Sequence, residues 1–338
     1  MNLDEFAERL GLSKTTVSRA LAGYSDVSAK TRARVEEAAI AHGYQPNPLA
    51  QRLRSGRLDT VGLIISSDLR HFGDAFFVDL VTHLSRTLTD NGLDLLLSAA
   101  DPGDAELAAL KRMVGGRRVD AMIVERTRRR DPRVDYLLDM KIPFVCHGRT
   151  EDIQGYAFVD MDGEAAGRMA TERSIALGHR KIAFVGPPAA TLTFAWHRQT
   201  GYAAALKAAD LSVRDAFIVE GDGGEAFGNA ATRRLLDQDD PPTAIVCATD
   251  LEAIGVLRAI ADYGLAVGKD ISVIGHDDIP EAARTKPPLA TIRQPHAAVG
   301  KRLAEIVSRL AQGADPERHQ EIWQPELIER QSLDIALD

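Results

Sequence analysis

Hydrophobic positions follow two different rhythms along this chain. Near its start they recur at helical spacing in short segments. Leu3, Phe6, Ala7 and Leu10 form one apolar face, the i, i+3, i+4, i+7 signature of an amphipathic helix. Asn2 followed three residues on by Glu5 reads as a capping box, and Gly11 suits the left-handed residue that ends a helix. Ser13 then caps a second predicted helix, KTTVSRALAG, with Val17, Ala20 and Leu21 facing inward. Ser28 caps a third, AKTRARVEEAAIAHG, with Val35, Ala38 and Ala39 inward and Gly43 at its end. Helix, tight glycine turn, helix is the layout whose second helix enters the DNA major groove.

From Thr60 the rhythm changes. Short apolar runs alternate with amphipathic stretches: TVGLIIS, FVDLVTHLSRTLTDNG, LDLLLSA, AELAALKRMVGG, VDAMIVE, then PFVCH and YAFVD. A second series runs KIAFVGP, DAFIVEG, TAIVCAT and ISVIGHD, with LATIRQ and EIWQPELIER as the last strands. Buried strands alternating with helices predict parallel sheets joined by crossover helices. Two such lobes place a ligand cleft at the strand carboxyl ends. The predicted fold class is multidomain. A small all-α helix-turn-helix headpiece spans 1–45, a hinge helix or linker 46–58, and a two-lobed α/β domain 59–338.

Charge sharpens that division. The net charge of −8 argues against nucleic acid, but nine Lys and Arg against six acids give Met1–Arg57 a charge of +3 and leave −11 to the rest. A basic head on an acidic body is the asymmetry expected if only the head meets phosphate. The exposed face of the second helix carries Lys14, Thr15, Thr16, Ser18 and Arg19, hydroxyls and long cations suited to phosphate and base-edge hydrogen bonds. Between head and body, Pro46 and Pro48 precede a short segment, Leu49–Arg54, with arginines around it. So short a helix cannot stand alone in water, so it should order on DNA.

At this point the chain resembles the LacI/GalR, or lactose-repressor, family. The resemblance is carried by AERLGLSKTTVSRALAG and VSAKTRARVEEAAIAHGYQPNPLAQRL in the head, and by GHRKIAFVGP, GYAAALKAA, PTAIVCATDLEAIG, ISVIGHDDI and LATIRQP beyond it. It implies a periplasmic-binding-protein-like body and a transcriptional regulator, expected to be a repressor. Carried over by position, base contacts fall on Lys14, Thr15 and Arg19, phosphate contacts on Thr16 and Ser18, and a backbone contact on Asn47. Ala50 and Leu53 fall where the family places a minor-groove contact and a leucine wedge that kinks the duplex. Paired headpieces imply a homodimer on double-stranded operator DNA. The chain stops soon after LIERQSL, without a heptad-bearing tail, which favours a dimer over a tetramer.

The residues at the strand ends suggest the ligand. Asp74, Phe76 and Phe77, Glu125, Gly148 and Arg149 belong to the first lobe. Phe194, Trp196, Arg198, Asp222, Thr249, Asp250 and Asp277 belong to the second. Carboxylates, arginines and aromatics converging on one cleft suit a polyol, because planar groups bond adjacent hydroxyls and aromatic faces cover sugar rings. The resemblance puts effector contacts on Phe76, Glu125, Arg149, Arg198, Thr249 and Asp277, and the strand-end HGRT points to an α-glucoside. Phe76 and Phe77 have a rival reading as core, and Asp250 and Asp278 as helix caps.

Other functions find little support. Gly221 to Ala226 fits a G-x-G-x-x-A string, but no strand-end acid follows at dinucleotide-binding spacing. His71, His83, His147, His179 and His276 are scattered without metal-ligand spacing, so no metal, cofactor or enzymatic activity is expected. Cys146 and Cys247 each sit in an apolar run and read as buried structural thiols. No signal peptide or membrane span is legible. A cytoplasmic protein is therefore expected, rather than the sugar-binding component of a transporter.

Overall fold

A computed structural model describes residues 1–44, 57–67 and 75–336, the side chains of 75 and 76 excepted. The chain divides into two compact units, Met1–Asp59 and Thr60–Asp338.

In the first unit, α1 spans Leu3–Leu10, α2 Lys14–Leu21 and α3 Ala29–Ala41. Each start is capped as the sequence requires. The Asn2 side chain accepts from the Glu5 amide at 2.9 Å and the Glu5 carboxylate accepts from the Asn2 amide at 3.1 Å. Ser13 and Ser28 accept from the amides of Thr16 and Thr31. Gly11 closes α1 at φ 60°, a conformation glycine adopts without a Cβ clash. Phe6, Ala7, Val17, Ala20, Val35 and Ala39 are buried together, and Phe6 stacks on Tyr44 with ring centroids 4.2 Å apart. Leu21 and Ala38, expected inside, only pack partly buried against this cluster.

The second unit contains two six-stranded sheets. The first lobe is built from β1 Thr60–Ser66, α4 Ala75–Asp90, β2 Asp94–Ala100, α5 Asp104–Gly115, β3 Ala121–Val124, α6 Pro132–Asp139, β4 Phe144–His147 and β5 Ala157–Met161. The second is built from α7 Gly163–Ala176, β6 Ile182–Gly186, α8 Thr193–Ala208, β7 Ile218–Glu220, α9 Gly224–Leu236, β8 Ala244–Cys247, α10 Asp250–Asp262, β9 Ser272–Asp277 and β10 Ala290–Arg293. The chain then returns with α11 His296–Leu310 and β11 Gln320–Trp323 to the first lobe, and ends with β12 Glu326–Ile328 in the second. The strand orders are β11-β5-β4-β3-β1-β2 and β12-β10-β9-β8-β6-β7.

Strands β3, β6 and β8 are buried throughout, as expected where helices cover both faces of a parallel sheet. The run EIWQPELIER, read as one strand, is two. Its first half pairs parallel with β5 and its second half antiparallel with β10, so β12 is the exception to the expected parallel order. Pro325 stands between them and cannot donate to either ladder. The chain thus crosses between lobes near Asp162, near Pro295 and near Pro325.

In the first lobe, α11 packs Val299, Leu303 and Val307 against Leu80, Leu84 and Leu88 of α4. Phe77 belongs to this core, which bears out the packing reading for that residue. In the second lobe, α7 and α8 approach until backbones touch. A Cβ on Gly167 would lie 1.9 Å from the Arg198 carbonyl, and one on Gly201 2.0 Å from that of Glu164. This contact admits only glycine, and it fixes where α8 presents Arg198. Cys146 and Cys247 are free and buried, and burial pushes both thiols well up. Among the described residues no helix is long and apolar enough to cross a membrane.

Candidate functional site

The first candidate surface is α2. Lys14 and Thr15 are exposed, while Thr16, Ser18 and Arg19 are half-buried. The Thr16 hydroxyl bonds Ser13 Oγ at 2.8 Å. Lys14 Nζ lies 2.5 Å from Asp4, and the Arg19 guanidinium lies 2.7 Å from Asp26 and 4.9 Å from the Tyr24 ring. These surface pairs engage both long cations of α2. They contribute little stability in water, so a phosphate or base edge can displace the carboxylates. Asn47, Ala50 and Leu53 lie outside the described residues.

The second site is the cleft between the lobes, where strand carboxyl ends meet. Its inner compartment, about 90 Å³, is lined from one side by Glu125 after β3, His147 on β4 and Asp160 on β5. From the other side come Phe194, His197 and Arg198 of α8, Thr249 after β8, Asp277 at the end of β9 and Gln294 after β10. His147 Nδ1 is 3.6 Å from Glu125 Oε1, and Arg149 Nη1 is 3.4 Å from Asp160 Oδ2. Burial pushes the Asp160 carboxyl up, against the pull of Arg149, His147 and His197.

Arg198 is the centre of the second-lobe wall. It donates to the Ala248 carbonyl, lies 3.8 Å from Asp277 Oδ1 and stands 4.8 Å from the Phe194 ring centroid. Burial pushes its guanidinium down, while Asp277 and Glu252 raise it again. Asp277 adopts φ 117°, a strained conformation for a residue with a side chain, of the kind that clusters at functional sites. Surrounding bonds hold it there. Gln294 Nε2 donates to its carboxylate at 2.7 Å, and His296 Nε2 lies 2.6 Å from its carbonyl oxygen. Burial lowers the His296 pKa to about 4, so that ring is neutral at physiological pH.

Outside Phe194 lies a larger compartment of about 560 Å³. Glu106, Arg126 and Arg128 line it from the first lobe, and Asp222, Leu192 and Glu252 from the second. Arg128 bonds Glu106, and Arg126 stands 5.7 Å from the Phe194 ring. Arg126, Phe194 and Thr249 line both compartments, which are therefore neighbours across these side chains.

The strand-end residues singled out in the sequence meet different fates. Glu125, Phe194, Arg198, Thr249 and Asp277 converge on the inner compartment, and Asp222 on the outer one. Arg149 sits behind the wall, beside Asp160. Trp196 lines neither compartment; its half-buried indole packs 4.6 Å from the Arg129 guanidinium. Two residues along α8, a little over half a turn, separate it from Phe194, enough to turn it away. Asp74 and the Phe76 side chain lie outside the described residues.

Two capping expectations need correction. The cap of α10 is Thr249, whereas Asp250 is buried, accepting from the Thr291 hydroxyl at 2.6 Å and the Ile279 amide at 3.0 Å. Asp278 pairs with Arg293 and Arg330 instead of capping a helix. Sequence reasoning also missed Asp160, His147, His197, Gln294 and Glu252. Asp160 and Gln294 were findable, because each stands at a strand's carboxyl end like the residues that were chosen.

Comparison with known proteins identifies the architecture. Residues 2–47 match bacterial regulatory proteins of the lacI family, and residues 171–333 match the periplasmic binding protein-like domain. The HTH-type transcriptional regulator AglR of Rhizobium meliloti (strain 1021) is 39% identical over 344 residues, spanning 100% of this chain and 96% of the relative. The chain belongs to the LacI family. Among solved structures, the transcriptional regulator CelR–cellobiose complex is similar at 30% identity and a TM-score of 0.75, over 98% of this chain and 99% of that one. The Lac repressor dimer bound to operator and the anti-inducer ONPF is similar at 27% identity and a TM-score of 0.83, over 98% of each chain. This LacI-family chain is accordingly a DNA-binding transcriptional regulator and not an enzyme. Gly221 to Gly224 of the glycine string form part of the outer compartment's wall.

Proposed function

We propose that this LacI-family regulator is a repressor that binds operator DNA as a homodimer through α2, and that a sugar, most simply an α-glucoside, held between its lobes controls that binding. The observation that carries the reading is the inner compartment. Carboxylates and arginines from both lobes and the Gln294 amide line it together with Phe194, a donor and acceptor set that matches adjacent hydroxyls, with an aromatic face for the ring. The similarity to a cellobiose-bound regulator supports a carbohydrate. The α-glucoside class rests on the strand-end His147-Gly148-Arg149-Thr150.

A ligand touching both lobes stabilises one lobe arrangement over the other, and only that difference can shift DNA affinity. Complete reversal of the bound population requires about 5.5 kcal/mol of differential affinity. Charge-assisted hydrogen bonds at roughly 1.5–3 kcal/mol each make that reachable with a few contacts formed in one arrangement. Titration calorimetry with glucose, maltose, trehalose and cellobiose, beside operator binding with and without each sugar, tests the reading. A bound sugar that lowers operator affinity supports it. A nucleobase or amino acid that binds where every sugar fails would replace the sugar and leave the fold as it is.

A further inference from the structure

We propose that the outer compartment is a second sugar subsite built on Glu252, and that the effector is an uncharged disaccharide rather than a monosaccharide or a sugar phosphate. This deepens the carbohydrate reading of the cleft and rests on it.

The volumes give the first reason. At about 90 Å³ the inner compartment falls short of the roughly 300–1,000 Å³ of ordinary ligand sites, whereas the outer one, at about 560 Å³, lies within that range. A ligand seated on the charged inner groups therefore extends outward past Phe194.

Glu252 gives the second. Its side chain is fully buried, yet only one carboxyl oxygen is used: Oε2 accepts from the Thr249 amide at 3.0 Å. Oε1 is buried without a hydrogen-bond partner, in a residue that lines the outer compartment. A Cβ on Gly223 would come within 3.3 Å of that oxygen, so any other residue there would crowd it. Buried polar atoms are almost always satisfied in folded proteins, and an orphan beside a cavity marks a place for a ligand atom. Burial raises the Glu252 pKa to about 8, against the opposing pull of Thr249 and Arg198. A carboxyl group in that state is neutral at pH 7 and donates through its O–H, which suits a sugar hydroxyl or the bridging oxygen.

Charge gives the third. In the outer compartment Arg126 and Arg128 face Glu106 and Asp222, and Arg128 is already bonded to Glu106. In and behind the inner wall, Glu125, Asp160 and Asp277 are matched one for one by Arg126, Arg149 and Arg198. Neither compartment offers the surplus of cations that a phosphate dianion requires. Leu192, Leu251, Pro187 and Pro188 line the outer space and can cover the apolar face of a ring.

The test is calorimetry on the full-length protein with glucose, glucose 6-phosphate, maltose, trehalose, sucrose and cellobiose. At least one disaccharide should bind about tenfold tighter than glucose, the size of one good hydrogen bond plus ring contact, and glucose 6-phosphate no tighter than glucose. Glu252→Gln, which keeps a donor and the bond to Thr249, should preserve the disaccharide-to-glucose affinity ratio within about threefold. Glu252→Leu should collapse that ratio toward one. Leu192→Trp, which fills the outer space from a partly exposed position, should do the same and serves if Glu252→Leu fails to fold. Equal affinity for glucose and every disaccharide, or an unchanged ratio in Leu192→Trp, would overturn the subsite while leaving the sugar reading intact. Binding of none of these sugars by the wild type would overturn both.

Discussion

Lys14 and Arg19 of α2 meet their carboxylate partners in water, with side chains 62% and 41% exposed, whereas Arg198 and Asp277 of the cleft are 8% and 12% exposed. The two regions use the same residue types under opposite conditions. An exposed ion pair contributes about 0–1 kcal/mol and exchanges partners freely. A buried one is held by its hydrogen bonds, and breaking it leaves an uncompensated group behind. Residues that trade a carboxylate for a phosphate can be lost without loss of fold. Residues that preorganise a ligand pocket are also structural, so in the body function and stability are hard to separate.

The contrast is tested most severely at Asp250. Asp250→Ala leaves the Thr291 O–H and the Ile279 amide without an acceptor in the second-lobe core, and should destabilise the body by about 3 kcal/mol or more. Denaturant unfolding followed by a probe in that unit measures it; a loss below about 1 kcal/mol would mean the buried network is as replaceable as the surface one.

Glu252→Gln sharpens the same point through pH. The folded-state pKa, about 8, lies above the ordinary glutamate value of 4.5. The folded protein therefore holds a proton that the unfolded chain releases. This contribution is fully present below about pH 4.5, falls as pH rises, and is gone above about pH 8. Its slope is at most about 1.4 kcal/mol per pH unit. The Gln variant lacks the slope, so its stability relative to wild type should rise from pH 5 to pH 8.5; parallel unfolding curves would show that Glu252 is ionised in the fold.

At the head the expectation reverses. Arg19→Ala should cost about 1–3 kcal/mol of specific operator binding, with thermal stability within about 0.5 kcal/mol of wild type. Equal loss on operator and scrambled duplex would reduce Arg19 to a phosphate contact. The smallest effect is expected from Ser13→Ala, which removes the cap on α2 and should destabilise the headpiece by about 1 kcal/mol, detectable as a lower melting temperature of that unit alone.

The same contrast explains what the sequence could tell. The headpiece was legible because its signals are local: Asn2 with Glu5, Gly11, Ser13 and Ser28 act within one turn of the helices they delimit. The body strands were legible because burial on both faces leaves apolar runs such as TVGLIIS and AIVC. The cleft was only partly so. Asp277 could be chosen from its place at a strand end and Arg198 from the helix that follows β6, but what pairs them is set by segments far apart in the chain. Glu252 passes unnoticed because its other oxygen has a local use: it closes a capping box with Thr249 at the start of α10. That its second oxygen is buried against a cavity follows only from how α10 packs. The split of EIWQPELIER between two sheets was likewise invisible, since strand periodicity does not say which sheet a strand joins.

The three crossings between lobes also set an order of events during synthesis. Sheet one is incomplete until Gln320–Trp323 has joined β5, and sheet two until Glu326–Ile328 has joined β10. Among the described residues the headpiece core ends at Tyr44, and domains fold as the nascent chain supplies them. On the ribosome the DNA-reading part can therefore be finished long before the sensing part exists. For that interval it is a head without its control, and translation of the last strands is what places it under regulation.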